Sequence, residues 1–262
     1  MDNRAVGIFD SGMGGLSVLK TAQLLLPAES FLFYGDNKNA PYGTRSPEEI
    51  TRLSFDCAHE LVKLGAKALV IACNTATSAA VNDIRTELKL PVVSMEPAIK
   101  PAIEHSKGGR ILMMATPRTC VQSRYLRLLD RLDQAHQVVN VPAIELVEAV
   151  ESGDWSRQAF DRVLQKVLGP FEGQAIESIV LGCTHFPFAR EHIARYARAH
   201  FQGEPAFYDG NLGTARQLGR VLKEQGLEAE PGRAGATRLL TSGDSARILP
   251  LFNRLLAQYD PF

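Results

Sequence analysis

The chain has 262 residues, enough for one large domain or two of ordinary size, and 45% of them are apolar, as in an ordinary globular protein. Lysine plus arginine equals aspartate plus glutamate, at 29 each, so charge gives no reason to expect nucleic acid or a membrane as partner. No basic-then-apolar leader and no long apolar run stands before or within the first strand-like segment, so we expect a cytoplasmic protein. The four cysteines show no CxxC, which in a reducing compartment favours free thiols.

The first element in chain order is a strand that ends in a glycine-rich turn. Residues 6–9 predict the strand, Asp10-Ser11-Gly12-Met13-Gly14-Gly15 the turn, and residues 16–26 a helix. Such a turn lets backbone N–H groups approach a ligand, and a helix N-terminus favours an anion. The spacing is not GxGxxG, which argues against a dinucleotide site. A simple cap by Asp10 or Ser11 is the plainer alternative, although capping needs only one such residue.

A second strand, over residues 30–34, leads into a shaped loop. Residues 37–43 form this loop, and Pro41 and Gly43 punctuate it. A helix then begins at Ser46-Pro47 and carries an apolar stripe of residues three or four apart, from position 50 to position 64. Cys57 lies on that stripe, so we expect it to be a small core residue.

Two later segments share one pattern: an apolar run, a small residue, a cysteine and a nearby threonine. Residues 68–71 lead into Cys73-Asn74-Thr75, and residues 178–181 lead into Gly182-Cys183-Thr184-His185. An apolar run of this length is typical of a buried parallel strand, and open α/β sheets hold ligands at the carboxyl ends of their strands. A helical pattern follows each segment directly. The pair predicts one site with a sulfur on either side.

The rest of the chain continues the alternation of strands and helices. Further strands are predicted at residues 92–95, 110–115, 138–141, 206–208 and 238–240. About nine short strands alternating with helices indicate the α/β class with mostly parallel sheets. The opening pattern recurs after about 104 residues, and Cys183 follows Cys73 by 110, which predicts an internal duplication. Residues 96–101 break the rhythm and mark the expected crossing between domains, while Cys120 is expected to be structural.

The matched cysteines can be interpreted in several ways. A thiolate is a nucleophile and a usable base, and its pKa of about 8.5 falls beside a helix N-terminus. A metal is one alternative, since Cys183 and His185 could point the same way from an extended segment, but a structural zinc needs four ligands. Acyl transfer by Cys183 with His185 as its base is another, and it leaves Cys73 unexplained. Inverting a carbon requires proton carriers on two opposite faces, and this explains the duplication.

Several motifs along the chain form one set: Asp10-Ser11-Gly12 with Gly14-Gly15, Pro41-Tyr42-Gly43, Cys73-Asn74-Thr75, Glu96-Pro97, Ala115-Thr116-Pro117, Gly182-Cys183-Thr184-His185 and Thr241-Ser242-Gly243-Asp244. Together they resemble the motifs of the glutamate racemases, cofactor-independent members of the aspartate/glutamate racemase superfamily, and the resemblance covers nearly the whole chain. It implies two similar doubly wound, mostly parallel domains related by pseudo-twofold symmetry, with the active site in the cleft between them. The first would span residues 1–98 and 209–262 and carry Asp10 and Cys73. The second would span 99–208 and carry Glu151, Cys183 and His185.

The resemblance also implies the activity and the roles of residues. The chain would interconvert L- and D-glutamate by two-thiol α-proton transfer, with no cofactor and no metal, and supply D-glutamate for peptidoglycan synthesis. Cys73 would act on D-glutamate and Cys183 on L-glutamate, assisted by Asp10 and His185 respectively, with Glu151 as a further acid near Cys183. The positions that match substrate contacts are Asp10, Ser11, Tyr42, Gly43, Asn74, Thr75, Thr184 and His185.

Two departures and several open points accompany this resemblance. Phe186 stands where tyrosine is commoner, and Arg118 stands where many members have a small residue and could alter the entrance. The short segment before the first strand argues against activation by a cell-wall precursor, which the family links to an N-terminal extension. The oligomeric state is open, with a homodimer as one outcome. Other functions also stay open: an aspartate- or hydantoin-type racemase or decarboxylase of the superfamily, a Cys–His acyl-transfer enzyme, or a two-domain solute-binding module.

Overall fold

The computed structural model describes residues 1–133 and 137–261. Within these ranges the chain alternates strands and helices, as the sequence predicts. The strands are β1 (Val6–Asp10), β2 (Phe31–Gly35), β3 (Ala68–Ile71), β4 (Val92–Ser94), β5 (Arg110–Ala115), β6 (Val138–Pro142), β7 (Ile176–Leu181), β8 (Ala206–Asp209) and β9 (Thr237–Thr241). The helices are α1 (Leu16–Leu25), α2 (Pro47–Lys63), α3 (Asn74–Glu87), α4 (Ile99–Glu104), α5 (Pro117–Val121), α6 (Ser123–Leu132), α7 (Ile144–Ser152), α8 (Arg157–Leu168), α9 (Arg190–His200), α10 (Asn211–Glu224) and α11 (Ser245–Gln258).

The chain divides into two compact units. The first comprises Met1–Glu96 and Asn211–Phe262, and the second comprises Pro97–Gly210. The break after Glu96 falls inside the segment 96–101, where the strand–helix rhythm of the sequence is interrupted. Each unit has a parallel sheet of its own, which establishes the α/β class.

The sheet of the first unit has five parallel strands in the order β4-β3-β1-β2-β9. Every residue of β1 is buried, because the strand lies in the middle of the sheet and helices cover both faces. The edge strand β9 belongs to the last segment of the chain and pairs with β2 in register Phe33↔Leu239. The C-terminal segment therefore completes a sheet that begins at the N-terminus.

Helix α2 shows how local sequence sets a boundary and a buried face. The Ser46 side chain accepts a hydrogen bond from the Glu49 N–H at 3.2 Å, and Pro47 follows at the first helical position. The predicted apolar stripe is buried from Ile50 to Leu61 and includes Cys57. Leu64, predicted on the same stripe, is 37% exposed, because the helix ends at Lys63 and the chain turns away there.

The sheet of the second unit has four parallel strands in the order β6-β5-β7-β8. If each unit's strands are counted from its own first strand, both sheets have the order second, first, third, fourth, and β9 is an addition to the first unit. This shared order is what an internal duplication predicts. Cys73 follows the third strand of one sheet, and Cys183 follows the third strand of the other.

Candidate active site

Cys73 is the N-cap of helix α3. The helical pattern that follows this segment in the sequence is clear from about residue 78, and the helix itself begins earlier, at Asn74, directly after the cysteine. The backbone N–H of Ala76 donates to Cys73 Sγ at 3.4 Å, and the thiol lies 3.5 Å from Ser11 Oγ, to which it donates. Cys73 is buried, at 5% exposure. Because backbone N–H groups converge at a helix N-terminus, this position stabilises negative charge on the sulfur.

Asp10 ends β1 beside the strand that carries Cys73. Strands β1 and β3 are paired, with Phe9 opposite Ile71. The Asp10 side chain is fully buried, and its carboxylate accepts a hydrogen bond from the Gly12 N–H at 2.9 Å. The turn is tight: a Cβ on Gly15 would lie 2.7 Å from Asp10 Cβ, so glycine is required there. The turn thus brings Asp10 and Ser11 to the end of the strand pair that carries Cys73.

Asn74 gives the most direct sign of a ligand. Its side chain is 4% exposed, and neither Oδ1 nor Nδ2 has a hydrogen-bond partner in the part of the chain that the structure describes. A buried polar group without a partner costs about 1–3 kcal/mol, so such a group is rarely left unpaired. We therefore infer that a polar ligand pairs with this amide. Thr75 beside it is also buried, at 3% exposure.

Tyr42 is buried, and its side-chain hydroxyl is hydrogen-bonded within the protein. Its hydroxyl donates to Asp36 Oδ2 at 2.6 Å and lies 3.8 Å from Cys57 Sγ, and the residue is 1% exposed. Burial, followed by the neighbouring Cys57 and Asp36, raises the pKa of Tyr42 well above its usual value, so the hydroxyl stays neutral. A ligand at this loop would accordingly meet the backbone of Tyr42 and Gly43.

Cys183 has a different setting, which the sequence did not predict. No α-helix follows it directly: residues 183–185 turn, a 3-10 helix covers Phe186–Ala189, and α9 begins only at Arg190. The metal alternative takes Cys183 and His185 from an extended segment, whereas His185 has helical φ and ψ of −75° and −32°. The turn nevertheless brings the two side chains together, with Cys183 Sγ 3.6 Å from His185 Nδ1.

His185 also pairs with Glu151, from a distant part of the second unit. Glu151 lies in the last turn of α7, which Gly153 caps with φ of 77°, and its Oε1 is 2.7 Å from His185 Nε2. Burial alone would lower the pKa of His185, but the hydrogen bonds with Cys183 and Glu151 raise it well above its usual value. An imidazolium here can carry a proton, and it places a positive charge 3.6 Å from Cys183 Sγ.

The other two cysteines are in apolar surroundings. Burial raises the pKa of Cys120 to about 11 and that of Cys57 further, so both thiols are neutral near pH 7. Cys57 is 2% exposed and Cys120 7%, and each belongs to a hydrophobic cluster of its unit. The predicted core position of Cys57 is confirmed.

The two departures from the family pattern have distinct environments. Phe186 is fully buried in the hydrophobic cluster of the second unit, where its ring packs as core. Arg118 lies in α5, after β5, and its buried Nε has no hydrogen-bond partner in the described part of the chain. Its expected effect at an entrance to the active site stays a prediction.

Asp36 was missed as a functional candidate in the sequence. It is 3% exposed and accepts hydrogen bonds from three side chains, including that of Ser242. Its only local signal is its position, since it directly follows β2 at the carboxyl edge of the sheet. Its partner Ser242 belongs to a motif of the resemblance that had no assigned role.

Two features of the described residues concern metal binding and membrane insertion. Within 1–133 and 137–261, no three His, Cys, Asp or Glu side chains are grouped so as to hold a metal ion. In the same ranges no helix combines the length and the apolar character needed to cross a membrane.

Comparison with known proteins identifies the class. A family model described as Asp/Glu/Hydantoin racemase matches residues 16–217, which is most of the chain. The chain belongs to this family. Glutamate racemase of Clostridium perfringens is 42% identical over 258 residues, covering 98% of this chain and 97% of the relative.

Two crystal structures of glutamate racemases are also similar to this chain. Glutamate racemase from Thermus thermophilus in complex with β-chloro-D-alanine is 33% identical, with a TM-score of 0.78 over 97% of this chain and 94% of that one. Glutamate racemase from Francisella tularensis in complex with D-glutamate is 26% identical, with a TM-score of 0.82 over 99% and 96%. The relatives of nearly equal length are thus glutamate racemases.

Proposed function

We propose that this chain is a glutamate racemase, an isomerase that interconverts L- and D-glutamate without pyridoxal phosphate or a metal. The observation that carries the proposal is the pair of thiols, Cys73 and Cys183, each after the third strand of a sheet with the same strand order. Each thiol is provided with groups that stabilise a thiolate. The similarity to glutamate racemases over nearly the full length supports glutamate as the substrate.

The reaction balances as a proton transfer across two faces of one carbon. The Cys73 thiolate breaks the α-C–H bond of D-glutamate and becomes a thiol, while the Cys183 thiol protonates the opposite face and becomes a thiolate. L-glutamate reacts in the opposite sense. General acid–base groups of this kind contribute about 10²–10⁴-fold each. Asp10 assists Cys73, and the His185–Glu151 pair assists Cys183 by stabilising its thiolate.

The proposed substrate contacts suit a molecule with two carboxylates and an ammonium. Donors and acceptors are needed, and several are provided at the carboxyl edges of the sheets. They are the turn at Asp10 and Ser11, the unpaired amide of Asn74, the hydroxyls of Thr75 and Thr184, the backbone of Tyr42 and Gly43, and His185. The Asn74 amide can both donate and accept, so it can pair with the ammonium or a carboxylate.

The proposal extends to organisation and cellular role. We propose domains of residues 1–98 with 209–262 and 99–208, each contributing one thiol, and we propose that the two thiols act on opposite faces of the substrate's α-carbon. The enzyme would work in the cytoplasm and supply D-glutamate for peptidoglycan, and a homodimer is one possible assembly. Size-exclusion chromatography with light scattering tests the assembly.

The Cys–His–Glu arrangement in the second unit also fits acyl transfer, with Cys183 as nucleophile and His185 as base. That function gives no task to Cys73 or to the unpaired Asn74 amide. An aspartate- or hydantoin-type enzyme would use the same thiols on another substrate. A solute-binding module would bind its ligand without exchange of the α-hydrogen.

One experiment separates these functions. The purified protein is dialysed against chelator and incubated in heavy water with L-glutamate, D-glutamate, L-aspartate or a hydantoin, and the α-position is followed by NMR and the optical rotation by polarimetry. We expect deuterium in both glutamate enantiomers and loss of rotation for glutamate only. Exchange with aspartate alone, binding without exchange, or activity that returns only when a metal is added contradicts the proposal.

A further inference from the structure

The carboxylate of Asp36, directly after β2, connects the loop of residues 37–43 to the segment that follows β9. It is 3% exposed, and three neutral side chains donate to it: Tyr42 Oη to Oδ2 at 2.6 Å, Ser242 Oγ to Oδ1 at 2.6 Å, and Asn39 Nδ2 to the two oxygens at 3.0 and 3.1 Å. Hydrogen bonds to a carboxylate are short and strong, and they fix the geometry of the groups that donate. Asp36 therefore sets where each of these segments lies.

The backbone of Asp36 is anchored beside the proposed catalytic turn. Its N–H donates to the Asp10 carbonyl at 3.0 Å. A Cβ on the preceding Gly35 would lie 2.6 Å from the Gly12 carbonyl oxygen, so the two chain segments are in close contact. Asp36 consequently has a fixed position relative to Asp10, and the loop that it binds takes its position from the same reference.

Ser242 provides the link to the C-terminal segment. Besides donating to Asp36, its hydroxyl accepts from the Lys38 N–H at 3.1 Å, and its own N–H donates to the Gly35 carbonyl at 3.0 Å. The neighbouring Thr241 hydroxyl donates to Asn37 Oδ1 at 2.9 Å. Two groups of contacts thus fix the loop that leads to Tyr42. One is made by the Asp36 side chain, and the other by Thr241 and Ser242 in the connection between β9 and α11.

Tyr42 links this network to the ligand loop. Its ring lies in the hydrophobic cluster of the first unit, and its hydroxyl is bound to Asp36, so the side chain has no free polar group for a substrate. The groups that the loop can present to a ligand are therefore the backbone groups of Tyr42 and of the buried Gly43. The position of that backbone depends on the Tyr42–Asp36 hydrogen bond.

We propose that Asp36 is a positioning residue, which with Ser242 holds the Tyr42–Gly43 backbone where it binds a carboxylate of glutamate. The inference rests on the proposed function, because it assigns the loop to glutamate. It predicts that the network contributes to substrate affinity and not to the proton-transfer step, since the Asp36 carboxylate accepts from the side chains of Tyr42, Ser242 and Asn39.

The test is the kinetics of Asp36→Asn. The amide keeps the shape but offers one acceptor oxygen, and its NH₂ group meets a hydroxyl that had donated to the carboxylate. We expect the KM for L-glutamate and for D-glutamate to rise about tenfold, which corresponds to about 1.4 kcal/mol, with kcat changed less than about twofold. Ser242→Ala and Tyr42→Phe, which each remove one donor, should shift KM in the same direction by smaller factors.

The matched control is Asp133→Asn in the second unit. Asp133 is also buried, at 7% exposure, and accepts from the N–H groups of Gln137 and Val138 at 2.7 and 3.0 Å, but it precedes β6 and so lies at the amino end of its strand. This variant should lower Tm without changing KM. The comparison separates loss of stability from loss of positioning.

Each outcome decides the matter. A KM for Asp36→Asn equal to that of the wild type, with a fall in Tm like that of the control, overturns the positioning role. A large fall in kcat at constant KM overturns it as well, since Asp36 would then act on proton transfer. If Asp36→Asn does not fold, unchanged KM in both Ser242→Ala and Tyr42→Phe is the overturning result. Wild-type protein that does not racemise glutamate overturns the proposed function itself, which is a separate observation.

Discussion

Cys73 and Cys183 occupy equivalent strand ends, but different groups surround the two sulfurs. Cys73 caps a helix of 14 residues and receives a backbone N–H. Cys183 lies on a turn and contacts an ionisable imidazole, which in turn is bound to Glu151. A helix terminus keeps its partial charge at every pH, whereas an imidazolium loses its proton. We therefore expect proton transfer by Cys183 to depend more strongly on pH than proton transfer by Cys73.

The difference has a local cause in the residues that follow each cysteine. After Cys73 the chain continues as Asn74-Thr75-Ala76-Thr77 and enters a helix at once. After Cys183 it continues as Thr184-His185-Phe186-Pro187, and Pro187 lies at the start of a 3-10 helix, where its missing N–H costs nothing. The extra turn moves the α-helix away from the sulfur and brings His185 back towards it.

Removal of either sulfur should have the largest effect. Cys73→Ala and Cys183→Ala should each lower racemisation by at least about 10³-fold, because one face of the α-carbon loses its proton carrier. Provided that the surviving thiol exchanges its proton with solvent, Cys73→Ala should wash deuterium into L-glutamate only and Cys183→Ala into D-glutamate only. NMR of the α-position in heavy water is the measurement. Near wild-type interconversion by either variant, or exchange of the same enantiomer by both, contradicts the two-thiol mechanism.

Substitution of His185 or Asp10, the groups that assist the two thiols, should slow the exchange of the two glutamate enantiomers unequally. His185→Asn should slow α-exchange of L-glutamate by about 10²-fold, because the Cys183 thiolate loses its cation. Exchange of D-glutamate should fall less, since Cys73 keeps its helix N-terminus. Asp10→Asn should have the opposite preference. Initial exchange rates of each enantiomer in heavy water provide the test, and equal losses for both enantiomers in both variants would refute the division of labour.

Glu151→Gln should have a moderate, pH-dependent effect. The carboxylate of Glu151 helps to raise the pKa of His185, so its removal should lower that pKa. A raised folded-state pKa gives His185 a stabilising contribution that is complete below its unfolded pKa of about 6.5 and is lost as pH rises through the folded value. As pH rises, the variant should lose both this stabilising contribution and the activity that needs the imidazolium at a lower pH than the wild type does.

The measurements for Glu151→Gln are pH–rate profiles and the pH dependence of Tm. We expect the alkaline limb of kcat to move to lower pH and kcat at neutral pH to fall about threefold to tenfold. This is less than the roughly 10²–10⁴-fold of a group that transfers the proton itself, because Glu151 acts through His185. Glu145→Gln is a suitable control, because Glu145 lies on the same helix and pairs with Lys166 instead. An unchanged alkaline limb would show that Glu151 does not set the protonation of His185.

The smallest effects are expected for the two cysteines outside the site. Cys57→Ala and Cys120→Ala should each lower the free energy of unfolding by about 1 kcal/mol, through lost packing, and leave kcat close to the wild-type value. Thermal unfolding and racemisation assays on the same preparations test this. A fall of three orders of magnitude in kcat at unchanged Tm would mean that the thiol takes part in the chemistry.

Local sequence determined much of the fold. It also determined the positions of the main site residues, but not their partners from distant parts of the chain. Short apolar runs predicted the nine strands that the described residues form, and they put Asp10, Cys73 and Cys183 at carboxyl ends, because burial and chain reversal leave local signals in composition and period. The same signals could not distinguish the α-helix after Cys73 from the 3-10 turn after Cys183, since both are short-period apolar patterns.

Contacts between distant residues were decided by the tertiary structure. Glu151 meets His185 because the helix α7 ends where the chain after β7 turns, and Asp36 meets Ser242 because β9 returns to pair with β2. These pairs are 34 and 206 residues apart. The identity of the residues was visible in the sequence, but their partners were set by strand order and by the length of the connecting helices, which hydrophobic periodicity does not encode.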